Sequence, residues 1–137
     1  MELNNRSTQE LSKALESLKI ASNLLKDSYI QTPQNIELQK ALRDACIQRF
    51  EFCVEPSWKT SIKLLGLEIK SPNIAIRDMA RNNLIDQPDI WFDLLTARNK
   101  TSRTYDEEVA KEVYQITQSA IPHFDQLLKK LESISIK

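Results

Sequence analysis

Glycine is almost missing from this sequence: Gly66 is the only one in 137 residues. Hairpins and bulges draw on Gly, Asn-Gly and Asp-Gly pairs, so the shortage argues against a fold built of many short strands. Histidine is equally scarce, with His123 alone, and the two cysteines Cys46 and Cys53 make no Cys/His set of zinc spacing. In a helix the two thiols lie roughly 10 Å apart along the axis, too far for a disulfide. They read as small apolar residues on one helix face. No apolar run approaches the roughly 20 residues that span a bilayer. The polar start MELNNRSTQE lacks the apolar centre of a secretory signal, which points to a cytoplasmic protein. Excess charge is missing too: 19 basic residues meet 19 acidic ones. Bulk electrostatic coating of nucleic acid is therefore disfavoured, and any RNA contact has to come from a local cluster.

What is present is helical periodicity over a length that suits one domain, residues 1–137. From about Thr8 to Ile30, Leu11, Leu15, Leu18, Ala21, Leu24 and Leu25 recur at three- and four-residue spacing. A second segment is expected from Pro33 to about Leu65, with Thr32 as its N-cap and a stripe of Leu38, Leu42, Cys46, Phe50 and Cys53, then Trp58, Ile62 and Leu65. Pro56 predicts a kink, and Gly66 suits the stop just past the end. Ser71-Pro72 marks a third start, ahead of Ile74, Ile76, Met79, Ala80 and Leu84. Asp86-Gln87-Pro88-Asp89 opens a short fourth helix through Ile90, Trp91, Leu94 and Leu95. Thr104-Tyr105-Asp106-Glu107 reads as a capping box for a last helix that runs past Pro122 to Leu131. The expected architecture is all-α, an antiparallel up-and-down bundle of four to five helices that forms a homodimer. Trp58 and Trp91 fall on apolar stripes as core or dimer contacts. Glu51 reads as a salt-bridge partner of Arg49 or Arg43.

One stretch is chemically distinctive. Between Thr96 and Thr104 stand Arg98, Lys100 and Arg103 with no acidic residue, beside the hydroxyls of Thr101, Ser102 and Thr104. Cations and hydroxyls at a helix N-terminus can hold a phosphate, although a solvated loop with a helix cap has the same composition.

The stretch resembles the HEPN motif, in which Arg, four residues, His, one residue and Tyr are followed by Asp-Glu. Here Arg98 is followed by Arg103 in the histidine position, then Thr104 and Tyr105-Asp106-Glu107. Gln48-Arg49-Phe50-Glu51 with Trp58-Lys59, Ser71-Pro72 with Ile76-Arg77, and Leu84-Ile85-Asp86 with Trp91 resemble the family's surrounding pattern. The branch most similar holds the substrate-binding, HepT-like partners of minimal nucleotidyltransferases. The resemblance implies a homodimer that joins two motif copies in one cleft, with six cations around one RNA strand. It implies metal-independent endoribonuclease chemistry that needs no cofactor. By the same resemblance Arg98 holds the phosphate, Asn99, Ser102, Thr104 and Asp106 support the site, and Tyr105 accepts AMP from a nucleotidyltransferase antitoxin. Arginine stays charged to above about pH 12 and cannot serve as the base that histidine would be. Arg103 in a catalytic position therefore implies an inactive ribonuclease, whether an inactivated toxin or a natural non-catalytic partner, unless another arrangement cleaves RNA. The competing readings are a substrate-binding adaptor of the nucleotidyltransferase and a generic helical dimerisation module.

Overall fold

A computed structural model describes residues 2–136, with the side chains of 8–134. Five helices follow in order: α1 (Glu2–Gln31), α2 (Ile36–Leu64), α3 (Pro72–Arg81), α4 (Pro88–Lys100) and α5 (Glu107–Ile136). A 3-10 turn, Thr101–Arg103, separates the last two, and no strand occurs among the described residues. α1, α2 and α5 form the long frame, and the short pair α3 and α4 packs against α2 and α5. The core lies between them. Leu11, Leu15, Leu18 and Leu25 enter from α1, Phe50, Cys53 and Ile62 from α2, Met79 from α3, and Phe124, Leu127 and Leu131 from α5. The Trp91 ring meets Phe124 edge-on at 5.7 Å between centroids, and Phe50 approaches the same ring at 6.2 Å. Both tryptophans are buried, as their stripes predict.

The helix ends follow from local chemistry. Ser71 caps α3 by accepting from the Ile74 N–H, with Pro72 in the first turn. Gly66 ends α2 at φ +72°, and the Gly66 and Leu67 N–H groups donate back to the Lys63 and Ile62 carbonyls. Asn83 ends α3 in the same way at φ +62°, with the Leu84 N–H donating to the Met79 carbonyl. Asparagine tolerates that left-handed geometry better than most residues, which explains how a chain with one glycine closes two helices alike.

Several expectations need correction. α1 begins at Glu2 rather than Thr8, since nothing in its polar first residues breaks a helix. α2 begins at Ile36, not Pro33. Asn35 caps it by accepting from the Leu38 N–H at 3.1 Å, whereas the Thr32 hydroxyl donates backwards to the Ser28 carbonyl and so belongs to the end of α1. As expected, α2 and α5 each run as one helix through their prolines, Pro56 and Pro122. Leu24, Leu38 and Ile74, each expected on a buried stripe, are exposed. The Thr104 capping box does not form. Asp106 is the cap of α5, accepting from the Glu108 and Val109 N–H groups at 2.9 and 3.4 Å, while the Thr104 hydroxyl donates to the Thr101 carbonyl. Starting α5 two residues later leaves Tyr105 in the connecting turn rather than in the helix.

The cysteines sit in the core, and burial pushes the Cys46 thiol up to about 11 and the Cys53 thiol up to about 12. Both are therefore protonated and poor nucleophiles near neutral pH.

Two contacts fix the start of α5. Besides the Asp106 cap, the Arg43 guanidinium on α2 makes a bidentate pair with Glu107 at 2.9 and 3.0 Å. Arg43 is only 12% exposed, and Asp44 sits at 3.3 Å from it. The hydrogen bond from Arg43 holds the Glu107 carboxyl below its ordinary 4.5. A carboxylate with a lowered folded-state pKa adds stability that is complete above its unfolded value and is lost as pH falls through the folded one. Asp106→Ala is expected to cost about 1 kcal/mol and Thr104→Ala clearly less, by urea denaturation at pH 7. Glu107→Gln is expected to lower the melting temperature at pH 7, with the gap to the parent closing as pH falls below 4.5. Equal costs for the first two variants, or a gap that does not depend on pH, would contradict these roles.

Candidate functional site

The candidate site is the connection between α4 and α5, held against a flank of α2. Arg98 lies in the last turn of α4 and is half-exposed. Its Nη1 stands 3.5 Å from Oε1 of Glu51 on α2, and the Thr101 hydroxyl donates to the same oxygen at 2.8 Å. Glu51 thus pairs with the motif arginine, neither with Arg43, which binds Glu107, nor with Arg49, which donates to the Ser17 carbonyl. Sequence reasoning gave Glu51 the wrong partner because the pairing spans about 50 residues. The usable signal was an acidic residue on α2 at the edge of the buried stripe, facing a segment that has cations and no acid.

The electropositive cluster expected from residues 96–104 is largely neutralised in three dimensions. Arg98 and Lys100 are two residues apart, which places them about 200° apart around the helix. Arg98 turns to Glu51 on α2, and Lys100 reaches Glu112 on α5 at 2.6 Å. Arg103 is exposed in the 3-10 turn and has no ion-pair partner among the described residues. One unpaired cation per protomer remains, rather than the three that would give six in a dimer. The pairs are solvent-accessible, so each is worth at most about 1 kcal/mol and yields readily to a phosphate that offers Arg98 a bidentate contact.

The structure separates the remaining site residues by direction. Thr104 lines a groove of about 510 Å³ with Thr101, Gln48 and Glu51, bounded along α2 by Ala41 and Ala45. Asn99 lies on another wall, beside Pro72 and Leu95. Ser102 is exposed. Tyr105 is 87% exposed, the most accessible large hydrophobic residue among those described. Asp106 is spent on the α5 cap, so its supporting role is to position the turn. His123 lies on α5, 16 residues past Glu107 and so about 24 Å further along the axis, which removes it from the site. No group of three or more potential metal ligands occurs among the described residues. No helix of the described residues is long and apolar enough to cross a membrane.

Sequence reasoning missed Phe52 altogether. It is 53% exposed on α2, one residue after Glu51. With Leu38, Ala41, Ala45 and Gln48 it completes an outward line on α2 at alternating three- and four-residue steps. Its position immediately after the Phe50-Glu51 pair was the available signal, because a helix cannot bury both Phe50 and Phe52 on one face.

The fold is shared with solved proteins. A Haemophilus influenzae protein, HI0074, described as revealing the fold of a substrate binding domain of a nucleotidyltransferase, matches with a TM-score of 0.78 at 28% identity, covering 91% of this chain and 98% of its own. A Thermus thermophilus protein matches with a TM-score of 0.71 at 28% identity, covering 88% of this chain and 98% of its own. No curated protein sequence matches. The family model described as nucleotidyltransferase substrate binding protein like matches residues 2–133, nearly the whole length, and the chain belongs to that family.

Proposed function

We propose that this protein is the non-catalytic substrate-binding subunit of a minimal nucleotidyltransferase, acting as a homodimer. The observation that carries the reading is the likeness, over nearly all of both chains, to a structure described as a nucleotidyltransferase substrate binding domain. Arg103 supports it from the chemistry. A charged guanidinium in the position of a proton-transfer group suits binding and cannot act as a general base. This displaces the impaired-toxin reading from first place.

The outward line of α2 supports the dimer. Leu38, Ala45 and Phe52 are spaced seven apart, and Ala41 and Gln48 fill the alternate positions, the pattern of a helix seam that meets its own copy. Alanines at 41 and 45 allow close approach of the axes, and an isologous contact pairs each residue with its symmetry mate. Because Glu51 borders this line, two Arg98–Tyr105 segments would flank the seam. Sedimentation at micromolar concentration is expected to give a dimer, which then co-elutes with the cognate nucleotidyltransferase. Phe52→Lys is expected to give a folded monomer. A strictly monomeric parent would remove the shared cleft, and a dimer that never binds the enzyme would overturn the subunit reading.

A second reading keeps the ribonuclease descent, and the observation that favours it is the Arg98-to-Tyr105 spacing with Tyr105 fully presented to solvent. In that reading the Tyr105 oxygen, giving up its proton, attacks the α-phosphorus of ATP, and the bond to pyrophosphate breaks. The partner enzyme supplies the catalysis, and RNA is the target of the unmodified protein. Arg103→His supplies a group able to accept a 2′-hydroxyl proton and is expected, on this reading, to give EDTA-resistant RNA cleavage, lost again on adding Arg98→Ala, with Arg103→Gln staying inactive. If dimeric Arg103→His cleaves no faster than the parent, the adaptor reading alone remains.

A further inference from the structure

Two adjoining grooves open between α2, α3 and α4. One of about 420 Å³ and one of about 220 Å³ share Pro72, Leu95 and Asn99 in their walls. Joined, they fall in the size range of small-molecule sites, roughly 300–1,000 Å³. Their ends differ in chemistry. One end is walled by Phe92 and Leu95, with the carboxamide of Asn73 beside them. The other is floored by Trp58 and rimmed by Arg98 and Glu55.

We propose that this joined groove binds an adenine nucleoside monophosphate, with the base at the Phe92–Leu95 end and the phosphate on Arg98. Flat apolar walls suit a planar ring. A carboxamide matches the adjacent donor and acceptor on one edge of adenine, as Asn and Gln do when they read that base. The carboxamides of Asn73 and Asn99 make no hydrogen bond among the described residues, so both are free for that edge. The Arg98 contact with Glu51 is long, at 3.5 Å, and engages one terminal nitrogen, which leaves the rest of its fork for a phosphate. Glu55 is held as a carboxylate by Lys59 at 2.6 Å and can accept from ribose hydroxyls, the role acidic residues play in dinucleotide folds. The inference draws its biological setting from the nucleotidyltransferase partnership, but the binding concerns this chain alone.

The test is an NMR titration of the full-length protein with AMP, adenosine and inorganic phosphate as separate probes. AMP is expected to shift the Asn73 and Asn99 carboxamide signals and the Trp58 indole N–H saturably. Adenosine is expected to bind at least about ten-fold more weakly, having lost a charge-assisted hydrogen bond to Arg98. Phosphate alone is expected to leave the Trp58 and Asn73 signals in place. Thr96→Trp, an exposed position on the groove wall, is expected to block AMP, and Asn99→Ala to weaken it about ten-fold, with Lys13→Ala on the exposed surface of α1 without effect. Circular dichroism establishes that each variant is folded, and Asn99→Ala keeps the test valid should Thr96→Trp not fold. No saturable shift at millimolar AMP overturns the proposal, as does phosphate matching AMP, or a folded Thr96→Trp or an Asn99→Ala that binds like the parent. If AMP binds as expected and the protein forms no complex with a nucleotidyltransferase, the partnership falls and the groove stands.

Discussion

One helix has to satisfy three environments at once, and the arrangement of the site depends on how α2 does so. It is 29 residues long, about 43 Å, and packs against each of the other helices as well as the 3-10 turn. Its inner face, with Cys46, Phe50, Cys53 and Ile62, closes the core. Its flank carries Arg43 and Glu51, which tie down opposite ends of the connection between α4 and α5. Its outer face carries Leu38, Ala45 and Phe52, a line that includes two large apolar side chains exposed in the protomer. Rotating α2 by one residue, about 100°, would exchange these roles, so the buried face fixes where the polar flank and the outer seam must lie.

The two polar contacts divide the work. The Arg43–Glu107 pair and the Asp106 cap locate the first turn of α5, and the Glu51 contacts locate the last turn of α4 and Thr101. Between those anchors, Ser102, Arg103 and Tyr105 are left exposed. The result is a short, fixed connection whose reactive groups face outward while its charge is compensated from other helices. A surface of that kind favours selective contact with a partner or a nucleotide phosphate over general attraction to polyanions.

Much of this was legible in the sequence. The helix count, the buried tryptophans, the Ser71 and Gly66 ends and the place of Arg98 at the end of α4 all follow from short-range rules of periodicity and capping. Where the sequence misled, the deciding interaction was either a competition between neighbouring caps or a contact across the bundle. Asp106 displaced Thr104, and Asn35 displaced Thr32, because each offers a side-chain oxygen better placed for the first free N–H groups. Leu38 and Leu24 fit a buried stripe by spacing, yet each lies at the edge of its stripe and stays exposed. The cation cluster looked uncompensated only because Glu51 and Glu112 are remote in sequence from residues 96–104.

The central claim, that α2 holds the motif connection in place, can be tested directly by amide hydrogen exchange on the double variant Arg43→Ala, Glu51→Ala. The account predicts faster exchange for residues 101–110, with protection in the cores of α1 and α5 unchanged, because local opening is released without loss of the hydrophobic core. Unchanged exchange over 101–110, or an equal loss of protection throughout the bundle, would contradict it.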